Sequence, residues 1–338
     1  MPMPLLKIKG LKKYFPIEKG FIKRTVGHVK AVDDIDFEIN DTETVGLVGE
    51  SGCGKSTTGN CIVRLLDPTD GEILFRASDT EFIDLATISL GKMKPYRSKI
   101  QMVFQDPYSS LNPRMTVHDI IAEPLRVFSM GNVGEINDRV ADLMRRVGLR
   151  PEYMIRYPHA FSGGQRQRVG IARALALNPK LVICDEAISS LDVSVQAQIL
   201  GLLEDLREEF QMSYLFIAHD LSAVKHISHK VVVMYVGKVV EVAETTELFS
   251  HPLHPYTEAL LASVPKLVTD RKVRKETISG EVPDPSNPPQ GCYIHPRCKY
   301  ATPECVESDQ KLLAVTDANG NPHMTSCIHH ARLNLRGV

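Results

Sequence analysis

The stretch TVGLVGESGCGKSTTGNCIVRLL, residues 44–66, constrains the fold more than any other part of this chain. Residues 45–48 are short, apolar and bounded by glycine, and read as a buried strand. Cys61, Ile62, Leu65 and Leu66 then recur at helical spacing. Between strand and helix stands Gly49-x-x-x-x-Gly54-Lys55-Ser56, the phosphate-loop pattern. The residue types follow from the chemistry. Glycines let backbone N–H groups converge on phosphate oxygens, and the helix N-terminus adds partial positive charge. Gly49, Ser51, Gly52, Cys53, Gly54, Lys55, Ser56 and Thr57 form the candidate cradle for a nucleotide's phosphates. Lys55 is expected to reach the β- and γ-phosphates, and the Ser56 hydroxyl to ligate Mg²⁺.

Composition removes several alternatives. The 338 residues suffice for one large domain and a smaller appendage. A net charge of −1 lacks the basic footprint of a nucleic-acid binder. No apolar run approaches the ~20 residues of a membrane helix, and the start, MPMPLLKIKGLKKYF, has no secretory pattern. Seven cysteines is an odd number, with Cys53, Cys61 and Cys184 far from the other four, so a disulfide framework is disfavoured and a reducing cytoplasm expected.

A second strand pattern, KLVICDEAISSLD at 180–192, delivers Asp185 and Glu186 at its C-terminal end, where open α/β sheets bind ligands. Asp185 suits the Mg²⁺ shell, and Glu186 is placed to polarise an attacking water. Standing alone, two acids after a strand are equally well a helix cap and a first-turn carboxylate. AFSGGQRQRVGIARALALNPK, residues 160–180, puts Ser162-Gly163-Gly164-Gln165 before a helix with an apolar face, which by itself is also satisfied by a simple N-cap.

The order is more telling than any one piece: phosphate loop, Gln105 after IQMVF, SGGQ, the Asp-Glu strand, then FIAHD with His219. This constellation resembles the ATP-binding cassette (ABC) ATPases. The resemblance implies an α/β P-loop NTPase of the ABC type, with a RecA-like core, an antiparallel β subdomain and a helical subdomain. It implies that two cassettes pair head to tail, each ATP lying between one phosphate loop and the other's SGGQ. It further implies that Gln105 senses metal and water, that Asp192 faces the partner, that His219 contacts the γ-phosphate, and that Tyr14 stacks on adenine. Tyr14 read without the family is an ordinary packing aromatic. The family's proline after the Asp-Glu pair is Ala187 here, which leaves the chemical groups intact and the backbone less constrained.

The expected organisation is a cassette at 1–250, with residues 106–178 as helical subdomain, and an extension at 251–338. KVVVMYVGKVVEV reads as a hairpin turning at Gly237, and EVPDPSNPPQG, residues 281–291, as a stiff connector. FQDPYSSLNPRMTV at 104–117 and HPLHPYTEALLASVP at 251–265 look like the ATPase subunits of bacterial dipeptide and oligopeptide importers. That likeness implies an ATP-hydrolysing subunit powering peptide import, peripheral on the cytoplasmic face of the inner membrane. Its partners are then a second, homologous ATPase, two permease subunits and, indirectly, an extracytoplasmic substrate-binding protein. Nickel, glutathione or another small solute is the alternative cargo, and a soluble non-transport ABC ATPase the alternative class.

Cys292, Cys298, Cys305 and Cys327 remain. Plain packing of thiols is one reading. The segment has little apolar material and calls for a staple, and four thiolates complete a ligand set for zinc or an iron–sulfur cluster. No pair has the two-to-four-residue spacing usual in structural zinc sites. The importer resemblance implies a 4Fe-4S cluster, with zinc the runner-up; His295 and His323 are candidate outer groups.

Overall fold

The computed structural model describes residues 3–20, 23–106, 110–263, 278, 280–309, 311–316 and 320–338. Residues 107–109 of the first importer-like stretch and 264–265 of the second lie outside them. The chain divides into two compact units, one formed by Met1–Ile39, Val45–Thr87 and His219–Val338, the other by Asn40–Thr44 and Ile88–Ala218.

The first unit holds a four-stranded antiparallel sheet in the order Arg24–Ile39, Leu6–Lys19, Asp70–Ser78, Glu81–Asp84. Alternation builds its core face. Leu6 and Ile8 pair with Ile39 and Phe37 on one side and with Phe75 and Ile73 on the other, and all six are buried. The phosphate-loop strand, Thr44–Val48, is buried throughout and runs parallel to Lys230–Tyr235. A strand covered on both faces reads as a continuous apolar run, which is why residues 45–48 show no alternation.

Lys230–Tyr235 turns into Lys238–Glu244 through Val236 and Gly237, both with positive φ, at 42° and 77°. Two left-handed residues make the turn that suits the twist of a two-residue hairpin, so Gly237 is the turn expected from sequence. The C-terminal segment then extends this sheet. Pro322–Thr325 pairs with Lys238–Glu244, placing Thr325 opposite Glu241, and Leu313–Thr316 pairs outside it. The proline-rich connector is hydrogen-bonded to the strand Arg24–Ile39 at Pro285, whose carbonyl accepts the Lys30 N–H at 3.1 Å.

The second unit contains three parallel strands in the order Ser213–Ile217, Leu181–Asp185, Ile100–Val103. Its helices include Val117–Val127, Val133–Arg146, Gly163–Leu175 and Val193–Phe210. Helix Val133–Arg146 starts at a capping box, Asn132 with Glu135, and buries Ile136, Val140, Leu143 and Met144 at three- and four-residue spacing. No helix among the described residues is long and apolar enough to cross a membrane.

Candidate active site

In the first unit the phosphate loop joins the buried strand to helix Lys55–Ile62. Gly54 caps that helix with φ 106°, and a Cβ built there would sit 2.1 Å from the Ala31 carbonyl oxygen. Only glycine fits both the dihedral and the space. Lys55 is buried at 4% exposure, its Nζ donating to the carbonyls of Gly49 at 2.8 Å and Glu50 at 3.0 Å and lying 3.7 Å from Cys53 Sγ. The ammonium is thus held across the loop by the loop's own backbone. Ser56 follows on the first helical turn, half-buried. The loop is fastened from behind as well, since the Gly237 N–H at the hairpin turn donates to the Cys53 carbonyl at 2.9 Å.

Tyr14 sits half-buried on the strand Leu6–Lys19, its hydroxyl hydrogen-bonded to the Asp33 carboxylate and the Lys30 ammonium 5.7 Å from its ring centroid. Burial pushes the Tyr14 phenol up, and the bond to Asp33 pushes it the same way. Asp33 is itself buried; burial would raise it, but the bond from Tyr14 and the charges of Lys238 and Lys30 hold its carboxyl below the usual range. His219 is exposed and stands just before Asp220, the N-cap of helix Leu221–Ile227.

In the second unit Asp185, 6% exposed, ends the strand Leu181–Asp185. Glu186 follows with a left-handed φ of 45°, an uncommon state for a residue with a side chain. Hydrogen bonds hold it there: its N–H donates to the Ile217 carbonyl at 2.9 Å, and its carbonyl accepts from Ser189 N and Oγ. Its carboxylate accepts a 2.6 Å bond from Gln105 Nε2. The turn through Ala187 is therefore fastened on both sides of Glu186 without a proline.

Ser162 is the N-cap of helix Gly163–Leu175, and its hydroxyl and the Gln165 side chain close a reciprocal capping box. SGGQ thus caps its own helix as an ordinary N-cap does, and its polar groups are spent partly there. Gly164 has a packing reason, because a Cβ there would meet Val195 Cγ1 at 2.5 Å. Asp192 likewise caps helix Val193–Phe210, accepting from Val195 N at 3.0 Å and Ser194 Oγ at 2.8 Å, and those bonds lower its pKa.

The four C-terminal cysteines line one cavity with His254, His295 and His329. The Cys292 N–H donates to the Cys305 carbonyl at 2.7 Å, closing the loop between them. Burial pushes the Cys292 thiol up to about 12, and the neighbouring Cys305, Cys298 and Cys327 push it the same way. Yet among the described residues no group of three or more His, Cys, Asp or Glu side chains is placed to hold a metal ion. That finding removes support from the expected metal site, most directly from one zinc, which needs all four sulfurs about 2.3 Å from a single point. His323 is buried against Glu241, with Nε2 2.7 Å from Oε1, and is not among the residues that line the cavity. His329, unremarked in the sequence, is.

The chain is 53% identical over 306 residues to the Bacillus subtilis oligopeptide transport ATP-binding protein AppF, covering 90% of this chain and 92% of that protein. The chain belongs to the ABC transporter family of ATP-binding proteins. The family model described as ABC transporter matches residues 32–189, and the one described as oligopeptide/dipeptide transporter, C-terminal region, matches 240–305. This ABC protein is also 45% identical to the Haemophilus influenzae dipeptide transport ATP-binding protein DppF, over 96% of the chain and 97% of that protein. Among solved structures it resembles a dimeric ATP-binding cassette, MJ0796, in a post-hydrolysis state bound to ADP and Pi. That likeness has a TM-score of 0.62 and 28% identity, covering 71% of this chain and 98% of that one.

Proposed function

We propose that this ABC protein is the ATP-hydrolysing subunit of an importer of di- or oligopeptides. The observation that carries the reading is the 53% identity to a protein named for oligopeptide transport, sustained over 90% of the chain and thus beyond the general cassette. Lys55 binds the nucleotide phosphates, Ser56 and Asp185 hold Mg²⁺ with Gln105 beside it, and Glu186 takes the proton of the attacking water. His219 contacts the γ-phosphate and Tyr14 the adenine. Ser162, Gly163, Gly164, Gln165 and Asp192 serve the ATP of a partner cassette. The dimeric cassette among the structural relatives supports that pairing, and a homologous second ATPase, two permease subunits and an extracytoplasmic binding protein complete the assembly. The chain then works on the cytoplasmic face of the membrane, with residues 1–250 as cassette, 106–178 as its helical subdomain and 251–338 as the importer extension.

A relative named for glutathione import, 50% identical over 281 residues, keeps glutathione as the second reading of the cargo. Uptake of a labelled dipeptide by cells lacking this chain should be lost, and should return with the native protein but not with Lys55→Ala. Restored uptake of glutathione or Ni²⁺, with peptide uptake unaffected, sinks the peptide assignment and leaves the ATPase.

The extension's cofactor is read here as a 4Fe-4S cluster on Cys292, Cys298, Cys305 and Cys327. Support comes from the four thiols lining one cavity. A cluster binds one thiolate per iron, so its ligands need not converge on one point as those of zinc must. Such a cluster would supply a cross-link, or a redox-responsive group, to a segment poor in apolar side chains.

A further inference from the structure

Glu50, the second residue of the phosphate loop, is gripped at three points from within the first unit. Its carbonyl accepts from Lys55 Nζ at 3.0 Å, and its N–H donates to the Tyr256 hydroxyl at 2.7 Å. Its carboxylate takes two bonds from the Arg297 guanidinium, Nη1 to Oε2 at 2.9 Å and Nη2 to Oε1 at 3.2 Å. Tyr256 belongs to the 251–265 stretch, and Arg297 immediately precedes Cys298. Both anchors therefore come from the C-terminal region, outside the general cassette motifs.

The grip is built to be rigid. The Arg297 side chain is 7% exposed and that of Glu50 27%. Arg297 Nη1 also donates to the Tyr235 hydroxyl at 3.1 Å, and the Tyr235 ring packs on Tyr256 with centroids 4.6 Å apart. A two-pronged guanidinium–carboxylate pair fixes orientation as well as distance, which a lysine cannot do. A second strut lies beside it: the Tyr293 hydroxyl, one residue past Cys292, donates to Asp33 at 3.1 Å, and Asp33 holds Tyr14.

A phosphate loop works only if its backbone N–H groups keep their convergence and its lysine keeps its place. If Glu50 swings away, Lys55 loses one of its two carbonyl partners and the loop loses its second residue as a fixed point. We propose that Arg297 is a positioning residue of the nucleotide site, holding the phosphate loop through Glu50 and so making ATP affinity depend on the cysteine-bearing C-terminal segment. The inference rests on the reading that this loop binds ATP.

The test is equilibrium titration of the purified full chain with Mg²⁺ and ATP, for the native protein, Arg297→Gln, Arg297→Lys, Glu50→Gln and the Arg297→Gln/Glu50→Gln pair. Each Gln variant should weaken ATP binding about tenfold, the size of one lost charged hydrogen-bonding pair. Arg297→Lys should lie between it and the native protein. The double variant should be no weaker than either single one, whereas independent contributions would multiply to about a hundredfold. A purely structural role would lower the melting temperature and leave affinity alone. If Arg297→Gln fails to fold, Glu50→Gln carries the measurement from the loop side. Affinities within twofold of native for the folded variants overturn the proposal while ATP binding stands. Absence of ATP binding by the native protein overturns both.

Discussion

Gln105 and Glu186 stand just past the C-terminal ends of neighbouring parallel strands, and the Gln105 amide donates to the Glu186 carboxylate at 2.6 Å. The bond fixes the orientation of the carboxylate. If Glu186 is the general base, that orientation is what aims it at the attacking water.

Glu186→Gln should therefore leave ATP binding intact and lower turnover by roughly 10²–10⁴, the range for a lost general base. The measurement is phosphate release by the assembled transporter beside ATP titration of the same variant. Hydrolysis at the native rate would remove the role given to Glu186. Gln105→Ala should lower turnover less, because it removes a bond that orients the carboxylate and keeps the carboxylate itself.

Gly54→Ala tests the phosphate loop by shape alone. The new methyl would stand 2.1 Å from the Ala31 carbonyl, at a φ of 106° that side chains rarely adopt. Backbone strain of this kind costs on the order of 1–3 kcal/mol, and the overlap adds to it. The variant should lose both melting temperature and the thermal stabilisation that ATP gives the native protein. Native ATP affinity would show that the loop tolerates the displacement.

The strand–loop–helix of the nucleotide site and the Val236–Gly237 hairpin were legible because both depend on local sequence: glycine at forced dihedrals, apolar residues at fixed spacing. The hold on Glu50 was not. Arg297 and Tyr256 are 247 and 206 residues from it in sequence, and an arginine beside a cysteine carries no period or spacing that points to a loop so distant. The surroundings of His323 are hidden in the same way: strand pairing of Pro322–Thr325 with Lys238–Glu244 brings its imidazole to Glu241, 82 residues away in sequence.

His254 should give stability a dependence on pH. It is fully buried at the N-cap of helix Pro255–Ala262, where its Nδ1 accepts the Tyr256 N–H at 3.2 Å, and burial lowers its pKa to about 3. Between its ordinary 6.5 and about 3 the unfolded chain binds a proton that the folded chain refuses. Its contribution to stability is thus greatest above pH 6.5 and falls as pH drops, by up to about 1.4 kcal/mol per pH unit. His254→Asn keeps a capping acceptor and removes the titration. The native protein's advantage over the variant in denaturant unfolding should be largest at pH 7.5 and narrow steadily toward pH 5. A constant gap would mean that His254 takes up its proton as readily in the fold as in the unfolded chain.

The cysteine cavity separates its readings by metal content and by the loss each mutation causes. Three backbone features already fold the region: the Cys292–Cys305 bond, the one-turn helix Glu304–Glu307 and the pairing of Pro322–Thr325 with the main sheet. If a cluster cross-links the four thiols, chain purified without oxygen should be brown and carry about four iron and four sulfide per molecule. Any one Cys→Ala should bleach it and lower the melting temperature by several degrees. If the thiols only pack, each Cys→Ser should cost no more than about 1–3 kcal/mol, the cost of an unsatisfied buried hydroxyl, with no colour to lose. A colourless chain with one zinc would mean that the sulfurs close onto a single point 2.3 Å from each, a rearrangement of the loop between Cys292 and Cys305. A colourless, metal-free chain of native stability would return all four cysteines to packing.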